Sequence, residues 1–156
     1  MTFQITPLPR ADFAHLFGLS DAELSQNKAV RKVVTAKPGT PCRISMADAE
    51  IGETVLLVNY EHQPGESPYR ASHAVFVREN ASPAQIEPGE VPEVLASRLI
   101  SLRCFDDDHM MIAADVVDGQ DLSQVIMTAF KTAEVAYIHL HNAKPGCFAA
   151  AVHRAA

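Results

Sequence analysis

Tryptophan is missing from this sequence altogether, and only three of the 156 residues are cysteine. Cys42, Cys104 and Cys147 are odd in number and unrelated in spacing, which excludes the paired framework of a small secreted domain. Three free thiols in a reducing, cytoplasmic compartment are therefore expected. No apolar run approaches the ~20 residues that span a bilayer. The opening Met1-Thr2-Phe3-Gln4-Ile5-Thr6-Pro7 lacks the basic and apolar stretches of a secretory leader. Positive charge is also scarce: 13 Lys and Arg against 19 Asp and Glu leave a net charge of −6. Neither a nucleic-acid partner nor a membrane surface is expected of such a chain. The seven glycines form no phosphate loop and no dinucleotide fingerprint.

What is present suits one folded domain over residues 1–156, with 47% hydrophobic residues to build a core. Asp12 heads a short helix carrying Phe13, Leu16 and Phe17. Ser20 and Glu23 form a capping box, with Leu19 and Leu24 as its staple. This N-terminal helical segment, about 12–27, should pack on a sheet. Strands are expected at 31–36, 42–46, 54–60, 74–77, 99–105 and 110–117, with a loop over 62–68. The Asp106-Asp107-Asp108-His109 turn joins the last two strands as a hairpin. The clearest helix runs from about Asp121 to Lys131. There Leu122, Val125, Ile126, Ala129 and Phe130 share a face, and Asp121 and Gln124 are placed to cap it. The fold class is α+β: an antiparallel or mixed sheet, one well-defined late helix and a C-terminal β-hairpin.

The densest chemistry lies in that hairpin, Tyr137-Ile138-His139-Leu140-His141-Asn142-Ala143-Lys144-Pro145-Gly146-Cys147. Strand alternation puts Tyr137, His139 and His141 on one face. Pairing His141 with Cys147 would bring both imidazoles and the thiol together, and leave Ile138, Leu140, Phe148, Ala150 and Val152 on the apolar face. Two chemistries follow. His139 and His141 are spaced to hold a divalent metal, zinc or iron, with Cys147 as the nearest third ligand. Alternatively, Cys147 is a nucleophile activated by His139 or His141, with Asn142 or Lys144 polarising the site. Arg43, Tyr69 and Arg70, together with Asn142, are candidate ligand-binding residues because arginine forks suit carboxylate or phosphate.

Several phrases occur together: Lys37-Pro38-Gly39, Pro41-Cys42-Arg43-Ile44-Ser45, Asp48-Ala49, Ser67-Pro68-Tyr69-Arg70-Ala71-Ser72 and His139-Leu140-His141-Asn142-Ala143-Lys144-Pro145-Gly146-Cys147-Phe148. Over residues 33–154 the chain resembles the bacterial family catalogued as domain of unknown function 1203. It departs from that pattern at Ser72-His73-Ala74, which argues against a general role for His73. The resemblance implies a single folded unit and carries no activity. Two functions stay open: binding or turnover of a small anionic or carbonyl-bearing molecule in a His/Cys/Arg pocket, or a non-enzymatic interaction protein. The second would be a homodimer joined through a sheet face, with structural histidines.

Overall fold

A computed structural model describes all 156 residues. The chain forms two compact units. The first comprises 1–6, 61–72 and 85–156, and the second comprises 7–60 and 73–84. No helix is long and apolar enough to cross a membrane.

The first unit holds a five-stranded sheet, built from β1 (Thr2–Thr6), β5 (Leu99–Phe105), β6 (Met111–Asp118), β7 (Tyr137–Asn142) and β8 (Phe148–Ala155). The order is β1-β8-β7-β5-β6, and every pairing is antiparallel. Hairpins β5–β6 and β7–β8 form as the alternation predicts. One face carries Phe3, Ile5, Ile100, Leu102, Cys104, Ile138, Leu140, Ala150 and Val152, all buried. Helix α3 (Leu122–Ala129) lies on this core and touches β1 and β6. Its Leu122 and Ile126 are buried, as is Phe130 just beyond it, whereas Val125 and Ala129 are only half-buried. The expected Asp121–Gln124 cap does not form. A 3₁₀ turn at Gly119–Asp121 precedes the helix instead, and Asp118 Oδ1 accepts from Gln120 N at 2.9 Å. At the other end, the Arg154 guanidinium donates to the carbonyls of Phe130, Thr132 and Val135 and stacks on the Phe130 ring. A cation thus satisfies carbonyls at and beyond the helix C-terminus.

Ile126 is fully buried, so Ile126→Ala should destabilise the protein by ~2–4 kcal/mol through lost burial and a residual cavity. The half-buried Val125→Ala should cost clearly less. Urea unfolding measures both, and equal losses would contradict this packing.

The second unit contains α1 (Asp21–Gln26), β2 (Ala29–Val33) and most of β3 (Thr54–Gln63) and β4 (Ala71–Arg78), ordered β2-β3-β4. The Ser20–Glu23 capping box is present. Two expected elements differ. The helix expected from Asp12 is a pair of 3₁₀ turns, Arg10–Asp12 and Ala14–Leu16. Residues 42–46 form a turn and not a strand: Met46 N bonds Cys42 O at 3.0 Å, and Met46 takes a positive φ of 51°. The apolar alternation is real, but the buried Cys42, Ile44 and Met46 reach the interior from a turn. α2 (Glu93–Ala96) lies in the first unit, with Val94 and Leu95 buried.

Candidate functional site

The five-stranded sheet has a second face, and it is polar and aromatic. Register places Ser101 opposite His141, Arg103 opposite His139, and Phe105 opposite Tyr137. Across β8, His139 faces Ala151 and His141 faces Phe148, with a bulge between Leu140 and His141. This corrects the expected pairing of His141 with Cys147. The bulge shifts parity by one, so Phe148 joins the histidine face instead of the apolar one. Its ring meets His139 at 5.0 Å and His141 at 5.7 Å, both edge-on. Cys147 lies just before β8, where its carbonyl accepts from Asn142 N at 2.9 Å. None of the three cysteines is in a disulfide.

The third member of the cluster is His62. Strand β3 runs on to Gln63, so His62 stands on a strand end and not in the expected loop. One ligand atom from each of His62, His139 and His141 lies within 4.8 Å of the other two. Some point therefore lies within about 2.8 Å of all three atoms, near the ~2.0–2.1 Å of a zinc–imidazole bond. The His62 ring stacks on Phe148 at 5.4 Å and 9°, which fixes its plane. Strand alternation continues through His62: half-buried Tyr60 and His62 alternate with exposed Asn59 and Glu61, and the strand stops only at Pro64-Gly65.

The protonation states suit ligation. His139 is 6% exposed and His141 1%. Burial, reinforced by neighbouring histidines and Arg103, pushes the His139 imidazole down to about 3. Burial likewise pushes His141 down to about 3, against an opposing hydrogen bond to Gly146. Both rings are therefore neutral, the form that binds metal. His141 Nδ1 donates to the Gly146 carbonyl at 2.9 Å, which leaves the lone pair on Nε2. Such a backbone contact is the usual orienting partner of a metal-bound histidine. His139 Nδ1 is buried with no hydrogen-bond partner, a state that native interiors rarely tolerate without a ligand or ion.

Beside the cluster opens a pocket of about 550 Å³ lined by Gln63, Gly65, His109, Tyr137, His139 and His153, among others. Gly65 N donates to Gln63 Oε1 at 3.1 Å, so the amide nitrogen faces Tyr137 and donates to its hydroxyl at 3.0 Å. The Tyr137 hydroxyl is 2.7 Å from His109 Nδ1 and is left to donate to it. Asp106 explains how His109 gets there. Its carboxylate accepts from Asp108 N and Met110 N, and the closed turn holds His109 at a φ of 62°. The acidic turn serves its own backbone. A Cβ on Gly65 would lie 2.4 Å from the His109 ring, so glycine is what lets the two segments approach.

The remaining candidates have other engagements. Arg70 pairs with Glu61 and Glu66, and Tyr69, exposed, meets Phe105 edge-on at 6.1 Å. Asn142 is buried, with Nδ2 3.7 Å from Cys147 Sγ. Arg43 belongs to the second unit, where it is 2% exposed and donates to Pro41 O at 2.6 Å.

Fold and site together define an α+β protein in which two histidines of the five-stranded sheet and one from the end of β3 cluster beside an open pocket. The chain belongs to the family described as protein of unknown function (DUF1203), whose model matches residues 39–154. That span includes His62, His139 and His141. No curated protein and no solved structure matches.

Proposed function

We propose that the protein holds one divalent transition metal, zinc by its donor set, on His62, His139 and His141. It uses that metal to bind or turn over a small anionic or carbonyl-bearing molecule in the adjoining pocket. The observation that carries this reading is the convergence of three buried imidazole donor atoms within 4.8 Å. Three neutral nitrogens with no carboxylate or thiolate among them suit zinc, and leave a fourth position for a ligand. A metal there would supply a Lewis acid for a carbonyl or phosphoryl oxygen. His139 belongs to both the cluster and the pocket wall, so a molecule in the pocket would reach that position. Tyr137 and His109, joined by a 2.7 Å hydrogen bond, are placed to exchange a proton with it. A bacterial, cytosolic setting is part of the proposal, in keeping with the family resemblance and with three cysteines outside any disulfide.

Equilibrium dialysis of chelator-treated protein against zinc tests it. One equivalent should bind and raise the thermal midpoint. Sub-stoichiometric uptake, or a midpoint that zinc does not move, would reject the reading. A second reading has its own support. Edge strand β6 exposes Ile112 and Val116, at 42% and 56%, and such an edge favours pairing with another chain. A dimer that takes up no metal would favour that alternative, an interaction protein with structural histidines.

A further inference from the structure

Seven of the eight arginines donate to a carboxylate or a backbone carbonyl: Arg10 to Ala81 O, Arg31 to Asp21 and Glu79, Arg43 to Pro41 O, Arg70 to Glu61 and Glu66, Arg78 to Glu53, Arg98 to Val94 O, and Arg154 to three carbonyls. Arg103 is the exception. Its hydrogen bond runs from Nε to Ser101 Oγ at 3.2 Å, and no carboxylate or carbonyl accepts from its Nη groups.

Its place is specific. Arg103 sits opposite His139 on the neighbouring strand, and Ser101 sits opposite His141. The Nε bond to Ser101 therefore lays the side chain along β5 beside both histidines. The residue is half-buried, and burial lowers its pKa. A guanidinium in that position disfavours any further positive charge on the histidine face, and a metal would bring just that. Two cations side by side are stabilised by an anion that touches both. We propose that Arg103 is an oxyanion subsite of the histidine centre, so that the ligand is a small molecule bearing a carboxylate or a phosphate. This rests on the histidine site proposed above, and it fixes which end of the ligand is recognised there. The fork gives two parallel donors to either group.

The test follows the Arg103 Nε–H signal by nitrogen-edited NMR in the full-length protein, chelator-treated and zinc-loaded. Inorganic phosphate is titrated in one series and acetate in another. The signal should move saturably with at least one of them, and the tighter anion identifies the ligand group. Arg103→Gln should lower affinity for that anion at least tenfold while still taking up one equivalent of zinc, and Arg103→Lys should lose less. An unmoved Arg103 signal with both anions would overturn the subsite, as would equal anion affinity in wild type and Arg103→Gln. Because the wild-type signal is read directly, a variant that fails to fold leaves the outcome decided. Failure of the wild type to take up zinc would overturn the metal reading alone, since the chelator-treated series still reports on Arg103.

Discussion

His62→Ala should weaken zinc binding at least a hundredfold. The residue contributes one of three donors, and even partners that merely orient a ligand are worth ~10–100-fold in metal affinity. The consequence for stability is large. Zinc at a thousand times its dissociation constant adds ~4 kcal/mol to the folded state. For a chain of this size that is a rise of roughly 8–16 °C in thermal midpoint. Calorimetry with zinc and with chelator should show that rise in the wild type and almost none in His62→Ala. The two metal-free proteins should melt within a few degrees of each other. A variant that keeps the full zinc-dependent rise would remove His62 from the site.

Stability should also collapse on acidification well before the carboxylates titrate. His139 and His141 are held down to about 3 by burial, against ~6.5 in an unfolded chain. Between those values the unfolded chain binds protons that the folded one refuses. Stability is then complete above pH ~6.5, falls as pH falls through the window, and levels off only below ~3. With both rings titrating the loss reaches ~2.7 kcal/mol per pH unit. Urea midpoints of metal-free protein at pH 7.5, 6 and 5 should decline steeply. His139→Gln combined with His141→Gln should flatten that decline. A wild-type midpoint that stays constant down to pH 5 would mean the rings are solvated.

Half of the site was legible because strand alternation is local. Tyr137, His139 and His141 needed only a period of two, and the equally local 3.6-residue period of a helix marked Leu122, Ile126 and Phe130 as one buried face. His62 was not legible, since 77 residues separate it from His139 in sequence and only the tertiary fold brings the two together. Arg103 was invisible for a related reason. Its significance lies in the partner it lacks, which is known only once the other arginines are paired. The expected pairing of His141 with Cys147 failed on a single residue. A bulge between Leu140 and His141 exchanges the faces of Cys147 and Phe148, and nothing in Gly146-Cys147-Phe148 announces it. At 42–46 the alternation was real but the element was not, because a turn buried residues that a strand would have buried.

The most direct measurement is zinc K-edge X-ray absorption of the loaded protein, which counts the donor atoms and identifies their element. Three imidazole nitrogens at ~2.0–2.1 Å with no sulfur are expected, together with one further light atom in the fourth position. A sulfur at ~2.3 Å would put Cys147 in the site, and fewer than three imidazoles would break the triad; either result would contradict a centre built on His62, His139 and His141.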